Sequence, residues 1–316
     1  MWLKLITFKK SFNGSMKVYY NTNIEKKHSG GVIAIGNFDG LHLGHQKVIN
    51  EAKEKAKKNK LPFGIITFEP IPVMFFNPKI KNHRINSLNQ KKTYLEKFNL
   101  DFLIIINFNK TFSSLTAEQF IKNIINKKTK CKFLFVSKNF RFGFKRIGKI
   151  EMLKKYENFY NYKTVITEPY KKNKKIISST LIRKKIASGK IKEANKILNR
   201  KWSVEGKVIK GQKRGRKIGF PTCNVKLSDY IIPRLGVYAV IAKGSQFNKK
   251  GIANIGYRPT FNGQNLLLET NIFGINKNLY NKEIIISFKK FIRPEKKFKN
   301  LEHLKKQIKI DIKKAK

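Results

Sequence analysis

Val32-Ile33-Ala34-Ile35-Gly36-Asn37-Phe38-Asp39-Gly40-Leu41-His42-Leu43-Gly44-His45-Gln46 leads from an apolar run, through a turn rich in Gly, into residues 46–58, which carry helix formers without Pro or Gly. Read as strand, loop and helix, the stretch sets the unpaired first N–H groups of a helix against the loop, where an anion is welcome. Gly44 lets a phosphate approach the main chain, and His42 and His45 add donors that can become cationic as charge builds on it. Two surface histidines at a turn are the plain alternative, and the flanking strand and helix favour the anion site.

Outward from this stretch, apolar strands at 32–35, 63–68, 102–106, 133–136 and 164–167 alternate with helical segments, which predicts a parallel sheet flanked by helices. Ligands in such folds bind beyond the carboxyl ends of the strands, where the two histidines and Phe68-Glu69-Pro70 fall. From Trp202 the pattern changes to short strands broken by Gly and turns, at 202–209, 236–242, 252–255, 266–273 and 283–291, and predicts an antiparallel barrel. A closing helix is expected over 301–314, with a short linker at 199–201. The 316 residues exceed what one core usually holds, so two domains are expected, an α/β domain followed by a β domain.

Three more stretches carry chemistry. Ile177-Ser178-Ser179-Thr180-Leu181-Ile182-Arg183 puts hydroxyls where a helix over 181–198 would be N-capped and a guanidinium one turn in, an arrangement that suits an anion. Gly215-Arg216-Lys217-Ile218-Gly219-Phe220-Pro221-Thr222-Cys223-Asn224 offers two glycines for close backbone approach to phosphates, with a Thr222 hydroxyl and an Asn224 amide oxygen for a hard cation. Glu269 is a lone acid at the end of an apolar strand, in a chain with only nineteen acids, and partial burial would raise its pKa toward the range of a general base.

Seventy Lys and Arg against those nineteen acids give a net charge of +51, the composition of a nucleic-acid binder. The lysines are scattered over nearly every segment without a stripe, an aromatic RNA-binding pattern or zinc-finger spacing, so they read as a compositional bias that gives weak, salt-sensitive adhesion to polyanions. Cys131 and Cys223 match no metal spacing and suggest no disulfide, which fits a reducing cytoplasm. No apolar stretch reaches the roughly 18 residues of a membrane span, and the first fifteen residues lack the features of a signal peptide. Met16 is a second candidate initiator beside Met1.

Four motifs follow one another in a distinctive order: Phe38-Asp39-Gly40-Leu41-His42-Leu43-Gly44-His45-Gln46, then Phe140-Arg141-Phe142-Gly143-Phe144-Lys145-Arg146-Ile147-Gly148, then the Ser178-Ser179-Thr180 segment, then the Gly215 to Asn224 motif. Together they resemble the bacterial bifunctional riboflavin kinase/FMN adenylyltransferases, or FAD synthetases, over nearly the whole chain. The resemblance implies a Rossmann-like FMN adenylyltransferase domain at 16–198 and a β-barrel riboflavin kinase domain at 199–316. It implies Mg²⁺ as cofactor, ATP, riboflavin and FMN as partners, and no specific nucleic acid or membrane partner. Glu269 would be the kinase base, Thr222 and Asn224 the magnesium ligands, and Gly215, Arg216, Gly219 and Pro221 part of the same ATP site. His42, His45 and Arg183 would serve adenylyl transfer, with Gly36, Phe38, Asp39, Gly44, Ser179 and Thr180 around the second ATP and Thr180 capping or touching phosphate. Asn139, Phe140, Arg141, Arg258 and Arg293 would contact flavin, Arg258 within Asn254-Ile255-Gly256-Tyr257-Arg258-Pro259-Thr260-Phe261. The chain departs from the family at Ile71, where a His is usual, at Asn139, where an Asp is usual, and at Cys223, where an Ala is usual. A kinase with a degenerate transferase half and a basic nucleic-acid-binding protein are the alternatives.

Overall fold

The computed structural model describes residues 16–172, 174–211, 214–260 and 263–316, without the side chains of residues 214, 217, 258–260 and 263–265. The chain divides into two compact units, one formed by segments up to Asn37, Val48–Pro72 and Leu95–Glu168, the other by Phe38–Lys47, Val73–Tyr94 and Pro169–Lys316.

The first unit holds a six-stranded sheet of β1 (Lys17–Tyr19), β2 (Val32–Ile35), β3 (Phe63–Glu69), β4 (Phe102–Asn107), β5 (Phe133–Ser137) and β6 (Lys163–Thr167), in the order β1-β4-β3-β2-β5-β6. Every pairing is parallel. Helices cover both faces of such a sheet, which is why β2 is apolar and buried at all four positions instead of alternating. One core joins Ile33, Ile35, Ile66, Phe68, Phe102 and Ile104 to Phe120, Ile121, Ile124 and Ile125. Gly64 is required there, because a Cβ on it would lie 2.1 Å from the Phe102 ring. The order of connections reverses at β2, between β3 and β5, so the carboxyl end of β2 is the switch point at which open α/β sheets bind ligands.

The second unit contains a short ribbon, β7 (Lys171–Lys172) with β8 (Lys175–Ile176), and a closed barrel. The barrel strands are β9 (Ser203–Ile209), β10 (Cys223–Lys226), β11 (Gly236–Gly244), β12 (Phe247–Thr260), β13 (Gly263–Ile272) and β14 (Glu283–Arg293), closed in the order β10-β13-β12-β11-β14-β9. All pairings are antiparallel. Five of these strands match the sequence expectation. The sixth, β10, begins inside the Gly- and Pro-rich motif, which reads as loop. Val204, Val208, Val225, Val240, Leu268, Ile286 and Phe288 are buried in the barrel interior.

The single helix expected over 181–198 is two helices, Ser179–Ala187 and Ile191–Leu198, separated at Gly189, where φ is +75°. Gly adopts that left-handed conformation without the strain a Cβ would bring, so it ends the first helix. Ile182, Ile186, Ile191 and Leu198 from these helices share one core with Ile85, Trp202 and the barrel interior. Trp202 is 1% exposed, donates from Nε1 to the Ile85 carbonyl at 2.9 Å and packs its ring 4.7 Å from that of Phe288. The final helix, Leu301–Ala315, is capped by the Asn300 side chain, which accepts from the His303 N–H at 3.0 Å.

Candidate active sites

The helix after β2 spans Leu43–Asn59, so it begins inside the histidine motif and puts Gly44 in its first turn. The loop before it is tightly wound: Phe38, Gly40 and Leu41 have φ of 45°, 87° and 37°. A Cβ on Gly40 would lie 3.1 Å from the Ile85 side chain. Winding brings the rings of His42 and His45 into a stack, 3.6 Å between centroids and 18° between planes. The His45 N–H donates to His42 Nδ1 at 3.3 Å, so a neutral His42 carries its proton on Nε2. His45 Nδ1 is buried and has no hydrogen-bond partner among the described residues.

Burial, and then the positive charges of Arg200 and Arg183, push the His42 pKa down to about 4. His45 is held well below its usual value by burial, then by His42, Lys91, Arg183 and Arg200. Both rings are therefore neutral donors at pH 7, and the negative charge of a polyphosphate would favour their cationic form.

Asp39 organises the surrounding groups. Its carboxylate is 2% exposed and accepts from the Ile85 N–H at 3.1 Å, the Asn86 N–H at 3.3 Å and the Arg183 guanidinium. Arg183 also donates through Nε to the His83 carbonyl at 2.8 Å, and Ser179 Oγ donates to the Asp39 carbonyl at 2.8 Å. The carboxylate of Asp39 thus aims Arg183, and Phe38 is buried with its ring 5.3 Å from His45. Capping of the Ser179–Ala187 helix falls to Ser178, whose Oγ accepts from the Leu181 N–H at 3.2 Å, while Thr180 is exposed. Gly36 donates its N–H to the Ile66 carbonyl at 3.1 Å within the first unit.

Asn139 and Arg141 are exposed beyond the carboxyl end of β5, and Phe140 stacks on Phe142 at 5.6 Å. Arg293, expected at the flavin, meets Asp311 of the final helix, 1% exposed, through Nε at 2.9 Å and a terminal nitrogen at 2.8 Å. The Arg258 side chain lies outside the described residues.

The second constellation is on the outer face of the barrel. Leu268 and Thr270 point inward and are fully buried, so Glu269 points out and is half-buried. It pairs across the sheet with Asn224 of β10 on one side and Asn254 of β12 on the other. Directly opposed side chains share a face, within about 5 Å at Cβ. Asn224 Oδ1 is buried without a hydrogen-bond partner among the described residues, an oxygen suited to a hard cation. A Cβ on Gly211 would lie 1.9 Å from Asn224 Nδ2, so a side chain there would displace the amide. The motif loop is fastened by Asn271, which donates from Nδ2 to the Pro221 carbonyl at 2.7 Å. A Cβ on Gly215 would lie 2.4 Å from the Phe220 carbonyl oxygen, and Gly219 has φ +87°. Thr222 and Arg216 are exposed on the same loop.

A parallel sheet followed along the chain by an HxGH helix start suits nucleotidyl transfer, and a barrel that sets Asn224 and Glu269 on one face after a Gly-rich loop suits phosphoryl transfer. The FAD synthetase family matches residues 24–181 and the riboflavin kinase family residues 198–316. The chain belongs to the bifunctional riboflavin kinase/FMN adenylyltransferase family. It is 43% identical to such a protein from Buchnera aphidicola subsp. Schizaphis graminum, over 92% of this chain and 94% of that one. It is 36% identical to that of Escherichia coli K12, over 88% and 90%. A solved structure described as a macrolide-efflux protein from Streptococcus pneumoniae superposes with a TM-score of 0.84 at 30% identity, covering 95% of this chain and 98% of that one.

Sequence reasoning missed Arg200 and the two residues that brace it, Asn86 and Tyr94, at the histidine loop. One signal was present: only ten of the seventy basic residues are arginine, so each is a candidate for a role that lysine fills less well.

Proposed function

We propose that the chain phosphorylates riboflavin to FMN with one ATP and then adenylylates FMN to FAD with a second, releasing pyrophosphate. The observation that carries this reading is membership of a two-activity family together with both constellations, the stacked histidines with Arg183 and the Asn224–Glu269 pair. That combination favours two activities over a kinase with a degenerate transferase half and over a nucleic-acid binder. Residues 16–198 are assigned to the adenylyltransferase and 199–316 to the kinase.

In the kinase step, Glu269 takes the proton of the riboflavin 5'-hydroxyl as that oxygen attacks the γ-phosphorus of ATP in line. Gly215 and Gly219 let the loop approach the phosphates. The orphan Oδ1 of Asn224, with the Thr222 hydroxyl, fits Mg²⁺, which would neutralise charge on the transferring group.

In the transferase step the FMN phosphate is already anionic and attacks the α-phosphorus of ATP without a base. His42, His45, Ser179 and Arg183 stabilise the growing charge and align the leaving pyrophosphate. The departure at Ile71 puts a buried apolar side chain, 2% exposed, where the family usually has a His. Two buried, free thiols, Cys131 and Cys223, accord with a cytoplasmic location, and no described helix is long and apolar enough to cross a membrane.

Incubation of the pure protein with riboflavin and Mg-ATP, followed by chromatography, tests the reading. FMN and then FAD are expected. FMN alone would reduce the chain to a kinase, and neither product would overturn the proposal.

A further inference from the structure

Arg200 follows the Ile191–Leu198 helix and falls in the segment that matches the riboflavin kinase family, yet its side chain serves the histidine loop. One terminal nitrogen donates to the Gly40 carbonyl at 2.7 Å and to Asn86 Oδ1 at 2.9 Å. The other donates to the Leu198 carbonyl at 3.1 Å and reaches the Leu41 carbonyl at 3.5 Å. The guanidinium carbon lies 4.1 Å from the centre of the Tyr94 ring. Gly40 and Leu41 are the residues of positive φ immediately before His42, so the fork grips the loop where its backbone is least able to hold itself. Gln46, one turn into the following helix, donates to the Leu41 carbonyl at 2.8 Å and so braces the same point.

We propose that Arg200 is a positioning residue for adenylyl transfer: its planar fork, braced by Tyr94 and Asn86, holds the loop that aims His42 and His45 at the nucleotide phosphates. A lysine carries its three donors on one nitrogen and lacks the spread of the guanidinium fork, whose two terminal nitrogens divide the loop carbonyls and Asn86 between them. That explains an arginine here, in a chain with sixty lysines. The transferase site therefore draws on a residue inside the segment that matches the riboflavin kinase family, 198–316.

The charge has a second consequence. The groups that face the histidine pair are Arg200, Arg183 from the Ser179–Ala187 helix and Lys91 from the Leu88–Glu96 helix, with Asp39 on the same loop. Burial and then Arg200 depress the His42 pKa, so loss of the guanidinium charge moves it upward.

The inference rests on the adenylyl-transfer reading, and full-length Arg200→Gln and Arg200→Lys test it, each assayed separately for FMN-to-FAD conversion and for riboflavin phosphorylation. Both variants are expected to lose on the order of 10²-fold in kcat for FAD formation while phosphorylating riboflavin within about twofold of the parent. Any limb of the kcat/KM profile for FAD formation that reports His42 should move to higher pH in Arg200→Gln and stay in place in Arg200→Lys. Parental FAD synthesis by Arg200→Lys, an equal loss of both activities, or an unmoved limb in Arg200→Gln overturns the proposal. If Arg200→Gln does not fold, Arg200→Lys decides alone by its kcat. A parent chain that makes no FAD would instead overturn the underlying reading, and this one with it.

Discussion

Asp39→Asn isolates the electrostatics of the transferase site. The substitution keeps the shape of the side chain and an oxygen for the Ile85 and Asn86 amides, but it removes the negative charge that faces Arg183. Asp39 is 2% and Arg183 15% exposed at the side chain, so little water can replace the lost partner. Breaking a buried pair by removing one member costs about 3–5 kcal/mol, because the remaining charge is left uncompensated. Arg200, already depressed by burial, loses the same nearby carboxylate. At about 2–4 °C per kcal/mol for a unit of this size, the melting temperature should fall by about 10 °C. Arg183 is no longer aimed, so FMN-to-FAD conversion should drop on the order of 10²-fold with riboflavin phosphorylation retained. Thermal melts and the two assays on Asp39→Asn, Arg183→Gln and the double variant close a cycle. The double variant should be less destabilised than the two single losses combined, by about 0.5–3 kcal/mol. An Asp39→Asn protein that melts within about 2 °C of the parent and makes FAD at the parental rate would refute the argument.

Three other outcomes follow from the same geometry. His45→Ala removes one charge-stabilising donor and should lower FAD synthesis on the order of 10²-fold while FMN accumulates; normal FAD output would make the motif structural. Glu269→Ala should cut FMN formation by roughly 10² or more and leave FMN-to-FAD conversion nearly intact, and equal loss of both would remove the assignment. His42 has a pKa of about 4 when folded against an ordinary 6.5, so the unfolded chain takes up the proton first as pH falls. Nothing is lost well above the unfolded value, and stability should shrink by about 2 kcal/mol between about pH 7 and pH 5. Urea denaturation of the parent and of His42→Gln at both pH values should show that difference, and parallel pH dependences would contradict it.

The order of elements is legible in the chain because its signals are local. A buried parallel strand is a continuous apolar run, and 32–35, 63–68, 102–106 and 133–136 all carry one. The histidine and Gly215 motifs are legible for the same reason, since a helix start and a turn are each set by a few adjacent residues. β10 is hidden because its partners, β9 and β13, are separate segments of the chain, and pairing with them overrides the turn chemistry that precedes it. The break at Gly189 is equally hidden, because residues 181–198 have enough helix formers to read as continuous.

Roles within the sites need the tertiary structure. Sequence places Asp39 among the phosphate ligands, and only the approach of Ile85, Asn86 and Arg183 turns its carboxylate inward. Arg293 reads as a flavin contact, and only the folded chain shows that Asp311 of the final helix pairs with it. Arg200 reads as linker until folding brings Gly40, 160 residues away, within 2.7 Å of its guanidinium. Composition and periodicity report what a residue does with its neighbours along the chain. A buried charge is defined by what surrounds it in space, and around the histidine loop those surroundings come from stretches near Asp39, Ile85, Arg183 and Arg200 that only folding brings together.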